Sequence, residues 1–268
     1  MATVDTNTPD IEVSNNKYKK LERSKQKLPV DISIYFVIVL CVLVVLGFWP
    51  SYFAKFFNGT ANFTFYLHFH ATLMMLWISM LIIQPILVRK KNLQTHRLVG
   101  KSSYILFPMM CISIILTIHQ SASIDEAALG NRLLFLSKNL FIFILGYAIA
   151  IKYRHNIDVH ARGMIVTGIA LIEPALTRLF LNVFASFELF VTSPDFFFYG
   201  SIPTILIIFS FLIGMMFIER HQARGRWVFP LTIVSYSILY GLWISQIHLS
   251  LWESFSKWFV SLPLTQLK

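Results

Sequence analysis

Charge is scarce in this chain. Only 13% of its 268 residues are Asp, Glu, Lys or Arg, and 56% are hydrophobic, where soluble domains carry roughly 25% charged residues. That balance excludes a water-soluble fold, which would have to hide seven apolar runs of about 18 to 24 residues. Each run is long enough to cross a hydrocarbon core of about 30 Å at about 1.5 Å per residue. Cysteine is scarcer still: Cys41 and Cys111 both lie inside apolar runs, which excludes a disulfide framework. Acidic residues number 13 against 23 Lys and Arg, and the resulting +10 falls in the connections between apolar runs. Such clustering is a topology signal and excludes nucleic acid as the partner. The chain has no Walker loop, no CxxC, no HExxH and no GxSxG, so phosphate hydrolysis and the common metalloprotease and serine-hydrolase sites have no support. No lysine lies in the seventh run, which argues against a retinal Schiff base.

What remains reads as an all-α integral membrane bundle of seven transmembrane helices. Residues 1–30 are a polar, basic tail with too little apolar area to fold alone. Residues 31–248 hold the seven spans, near 31–49, 65–88, 102–122, 134–152, 163–184, 202–219 and 227–248. Residues 249–268 begin with LSLWESFSKWFV, an amphipathic segment suited to the interface. No secretory signal precedes the first run, which is expected to stay as a signal anchor. Seventeen of the 23 Lys and Arg lie in the tail and in the second, fourth and sixth connections. With seven spans all of them fall on one side, which places the N-terminus in the cytoplasm and the C-terminus outside. The opposite side is aromatic, with Trp49, Tyr52, Phe196 to Tyr199, Trp252 and Trp258. Richness in Ile, Asn and Lys and short connections point to a bacterial inner membrane.

Ionisable groups in lipid are costly and usually face a bundle interior, a cavity or one another. An outer set comprises His68 and His70 on helix two, His119 on helix three and His248 on helix seven. Neutral imidazole binds zinc, copper and haem iron, so His70, His119 and His248 are candidate metal ligands. Residues two apart point about 200° apart on a helix, and the spacing of His70, Met74, Trp77, Leu81 and Gln84 follows one face. That face makes His70 the inward histidine and Trp77 and Gln84 candidate cavity-lining residues.

An inner set comprises His96, Arg97, His160 and Arg162. Histidine and arginine pairs there could hold an anionic head group, a quinone or a haem propionate, since Arg offers a fork to carboxylate or phosphate. Glu173 and Arg178 flank Pro174 in the fifth span. Glu173 is near mid-span, where an unpaired carboxylate is costly and favours its neutral form. Five residues separate it from Arg178, so a direct pair is not expected, and both are candidate cavity-lining residues.

The segment HATLMMLWISMLIIQPILVRKKNLQTHRLVGKSSY (70–104), with DVHARGMIVTGIALIEPALTR (158–178), resembles a group of largely uncharacterised multi-pass bacterial membrane proteins. Their pattern is a histidine opening a helix, a Gln near its inner end, HRxxG, and later HxRxM. The resemblance implies the architecture and these residues, and no activity. The topology is also similar to that of seven-helix zinc hydrolases and receptors of the progestin and adiponectin receptor type. Those carry paired histidines in the last helix and an acidic ligand in an earlier one, whereas here helix seven has only His248 and helix three has no acid.

The leading expectation is a membrane protein whose histidines, drawn from several helices, bind haem or a transition metal for electron transfer. The alternatives are a small-solute or proton-coupled transporter using Glu173 and Arg178, a zinc-dependent lipid hydrolase, and a non-catalytic assembly factor or sensor. The partners implied are the lipid bilayer and, beyond it, a quinone or another membrane protein.

Overall fold

The computed structural model describes residues 38–39, 41–122, 128–186, 196–222, 224–246 and 249–265. The basic tail, the start of the first predicted span and His248 lie outside those residues. Among the described residues the regular structure is helical throughout. In chain order the helices are α1 (Cys41–Phe57), α2 (Phe65–Arg89), α3 (Leu93–Ser121), α4 (Leu129–Lys152), α5 (Ile157–Ala185), α6 (Phe196–Ile218), α7 (Val228–Ile244) and α8 (Ser250–Ser261). A π-helical turn at Trp49–Phe53 interrupts α1 beside Pro50.

Five helices, α2 to α6, are long and apolar enough to cross a membrane. The chain is therefore a helical membrane protein by length and composition. α1 and α7 are apolar but shorter, and α7 has 17 residues. Four of the five begin earlier than their apolar runs, α4 at Leu129 rather than 134 and α6 at Phe196 rather than 202 among them; at the basic end the two early starts are α3 at Leu93 rather than 102 and α5 at Ile157 rather than 163. Asparagine explains both starts. The Asn92 side chain accepts the Thr95 amide at 3.1 Å and that of Asn156 accepts the Val159 amide at 3.4 Å, satisfying first-turn donors. At 29 residues each, α3 and α5 reach about 40 Å, beyond the hydrocarbon thickness of about 30 Å. Their first turns, with both histidine and arginine motifs, are thus helical.

α5 is the centre of the bundle. It packs on α4, α6, α7 and α2, and 67% of its apolar window is buried, against 28–44% in the other four long helices. Glycine makes this possible. A Cβ at Gly146 of α4 would stand 2.9 Å from the Gly163 carbonyl oxygen, and one at Gly163 of α5 would stand 2.7 Å from the Ala150 amide nitrogen. The two backbones touch there, as small residues allow in membranes. The basic ends of α2 to α6 gather at one end of the bundle. The other end carries aromatic side chains and α8, whose Trp252 indole donates to the Gly130 carbonyl at 2.7 Å.

Gly163→Val is expected to lower stability by about 1–3 kcal/mol through overpacking of the α4–α5 seam. Gly214→Ala and Gly241→Ala, where a Cβ meets nothing within 4 Å, should change little. Unfolding of the purified variants in mixed micelles measures the difference.

Candidate functional site

At the basic end, α2, α3, α4 and α5 enclose a cavity of about 630 Å³. Its walls are mostly apolar, with Met80 and Leu81 from α2 and Met164 and Ile165 from α5. Gln84, His96 and His160 are its deeper polar groups, and Arg97, Lys101 and Arg154 bring three cations to it. Among the described residues no Asp or Glu lines it.

The polar groups are unequally satisfied. The Nδ1 of His160 is 2.9 Å from the Ala150 carbonyl oxygen. A carbonyl can only accept, so that nitrogen carries a proton, and of the two neutral tautomers the contact selects the one whose lone pair is on Nε2. The His96 ring stands 6.5 Å from that of His160, centre to centre, with the planes 84° apart. The Nδ1 of His96 and both amide atoms of Gln84 are buried without a hydrogen-bond partner among the described residues. At the rim the Arg154 guanidinium donates to the Tyr104 hydroxyl at 3.0 Å, and Arg97 to the Leu93 carbonyl at 3.3 Å. Neither of these partners is a carboxylate.

Sequence spacing grouped Arg162 with these residues, but the structure turns it elsewhere. Arg162 is buried at 2% exposure. It donates to Glu219 at 2.6 Å, to Gln222 at 3.1 Å and to the Asp158 carbonyl at 2.8 Å. It clamps α5 to the end of α6, and Gly225, at φ +77°, leaves room for its guanidinium. Trp77 likewise does not border the cavity and belongs to the packed core. It is fully buried, 4.9 Å from Phe143 and 5.7 Å from Tyr147, measured between ring centres. Gln84 does line the cavity, as its helical face requires.

Glu173 is paired in the middle of the bundle instead of standing alone. The ammonium of Lys138 reaches both its oxygens, at 2.9 and 3.0 Å, and donates to the Phe135 carbonyl at 3.1 Å. Both side chains are buried, at 0% and 1% exposure. The Asn139 amide also donates to the carboxylate, and Thr177 donates to it at 3.3 Å. Tyr236 donates to Asn139 at 3.4 Å. The Lys138 ammonium also lies 3.5 Å from the centre of the Phe135 ring, a cation–π contact that adds to the pair. Lys138 is the residue that sequence reasoning missed, because it sits within an apolar run. Its signal is depth: Lys138 lies 14 residues before the end of α4 and Glu173 16 residues after the start of α5. Consecutive antiparallel spans bring such positions level. Arg178 is separate, as its spacing from Glu173 requires, with its guanidinium 4.9 Å from the centre of the Phe48 ring.

The outer histidines are engaged one by one. His70 pairs with Ser113 at 3.1 Å, His68 with Tyr52 at 3.1 Å and His119 with Thr265 at 2.8 Å. His119 also meets Phe259 edge to face beneath α8, with its Nε2 buried and unpaired. Among the described residues no group of three or more His, Cys, Asp and Glu is placed to hold a metal ion. Compared with family models, curated proteins and solved structures, the chain matches none.

Lys138→Met or Glu173→Leu alone should cost about 3–5 kcal/mol, since each leaves a buried charge uncompensated. The double variant should lose much less than the two together. A double-mutant cycle on unfolding in micelles tests this, and additive losses would show that the two side chains do not act as a pair.

Proposed function

We propose that the chain is a seven-span protein of the cytoplasmic membrane that binds an anionic, amphipathic small molecule in the cavity at its basic end. Counting α1 and α7 as spans, the four basic segments fall on one side, which is the cytoplasmic side by the excess of Lys and Arg. The N-terminus is then inside and the C-terminus outside. A 17-residue helix extends about 25 Å, the short end of the spanning range.

The observation that carries the ligand reading is the set of unpaired atoms on Gln84 and His96, buried beside apolar walls and beneath three uncompensated cations. Each buried group left without a partner costs about 1–3 kcal/mol, and an occupant with polar atoms removes that cost. A volume of about 630 Å³ lies within the roughly 300–1,000 Å³ usual for small-molecule sites. Arg97 and Arg154 favour a carboxylate or phosphate on the occupant. A quinone would suit the apolar walls and Gln84 but brings no charge for the rim.

Protein extracted in native lipid and analysed by native mass spectrometry is expected to retain an anionic small molecule. Arg97→Gln with Arg154→Gln should lose it at least tenfold. Retention of the same molecule at the same level in that variant, or an empty wild type, would overturn the reading. Gln84→Leu should raise the stability of the ligand-free protein by about 1 kcal/mol, because it removes two buried unpaired atoms. Thermal unfolding of stripped protein measures that gain.

A further inference from the structure

We infer that the occupant of this cavity is a haem held axially by His96 and His160, an inference that rests on the cavity being an anionic-ligand site. The first support is the state of the two imidazoles. The Ala150 carbonyl fixes the Nδ1 proton of His160 at 2.9 Å and frees Nε2. This backbone-fixed tautomer is the usual arrangement of a metal-binding histidine. His96 offers a buried nitrogen with no protein partner.

The second support is distance. Two imidazoles that bind one metal from opposite sides, with metal–nitrogen bonds of about 2 Å, have ring centres about 6 Å apart. His96 and His160 are 6.5 Å apart and border the same cavity. They come from the first turns of α3 and α5, which the Asn92 and Asn156 caps extend to that depth. Histidines projecting inward from different helices are a common way for a bundle to hold a cofactor.

The third support separates haem from a bare ion. Two neutral imidazoles are too few for a structural zinc site, which takes four ligands, and no third His, Cys, Asp or Glu joins them among the described residues. A tetrapyrrole supplies the other four nitrogens itself. It also explains the rest of the cavity. The macrocycle matches the apolar walls of Met80, Leu81, Met164 and Ile165, and its two propionates match a rim of three cations without an acid. With both axial positions filled by histidine, the iron keeps no open position for a gas or substrate.

The test uses the full chain purified from haem-replete membranes, with the pyridine haemochrome assay for content and optical and electron paramagnetic resonance spectra for ligation. Wild type should carry close to one haem per chain, with a low-spin Soret band. The ferric signal should be strongly anisotropic, as imidazole planes 84° apart require. His96→Ala and His160→Ala should each retain less than a tenth of the haem while eluting as wild type does on size exclusion. His160→Met should retain haem with a shifted spectrum, which distinguishes lost ligation from lost folding. His70→Ala and His119→Ala should keep full content. Haem that persists in both His96→Ala and His160→Ala overturns the inference. So does a wild type that carries no haem and takes up none from added haemin. A haem-free protein that still retains another anion, lost in Arg97→Gln with Arg154→Gln, overturns the haem assignment and leaves the anionic-ligand site standing.

Discussion

In hydrocarbon a polar group has no water to turn to, so each must find its partner inside the bundle. α5 bears most of that constraint, being the helix most buried by its neighbours. It meets the constraint at three levels. Near its start Arg162 engages Glu219 and Gln222 from the end of α6, and near its middle Glu173 engages Lys138 and Asn139 of α4. Near its far end Asn182 donates to the Gly47 carbonyl of α1 at 3.2 Å. Each pairing involves a different neighbour, so the side chains of one helix fix the positions of three others. Gly146 and Gly163 let α4 come close enough for the middle pairing to form.

Ser51, Tyr66, Trp77 and His119 each bury one unpaired polar atom away from the cavity, and the cavity at the basic end departs from this pattern further, by gathering three such atoms on Gln84 and His96. Elsewhere on α5 a buried charge has a hydrogen-bonded partner, as Glu173 shows with its ammonium, amide and hydroxyl donors. A few turns away, Gln84 and His96 present buried atoms that no protein group meets. Pro85 is part of the same wall. Having no amide hydrogen, it frees a carbonyl one turn earlier on α2, so the wall beside Gln84 is already short of internal partners. A protein that satisfies a lysine and a glutamate at mid-membrane does not lack the means to satisfy a glutamine at its edge. The contrast is why these atoms are read as facing an occupant.

Much of this was legible in the sequence. Apolar runs gave the five long helices α2 to α6, because spanning length is a simple count, helical face singled out Gln84, and pairing with arginine singled out His96 and His160, all three of which border the cavity. Helix starts were not visible from hydropathy, since α3 and α5 extend through polar turns capped by Asn92 and Asn156. Lys138 escaped because an isolated cation barely lowers the hydropathy of its run, although its depth matches that of Glu173. Arg162 was grouped with His160 by proximity in sequence. Two residues apart on a helix they point about 200° apart, and only one of them can face the cavity. The outer histidines show the same limit: equal depth on different helices does not set the azimuth, and His70 and His119 each bond to a different partner.

The rim cations admit two explanations, topology and ligand binding, and the placement of acids separates them. Positive residues on the cytoplasmic side are expected of any multi-pass protein, and their number alone means little. Yet at that end of the bundle the described residues include only two acids, Asp158 and Glu219, and neither lines the cavity. Glu219 binds the Arg162 side chain, and Asp158 offers it a backbone carbonyl. Arg97 and Arg154 are left with a carbonyl, a phenol and a neighbouring imidazole. A cation that only marked topology could sit anywhere on the solvated surface. Arg97, Lys101 and Arg154 are exposed at the rim of the cavity, where water weakens their pull on an anion, and it is the lack of an acid among the described lining residues that leaves the mouth of the cavity positive.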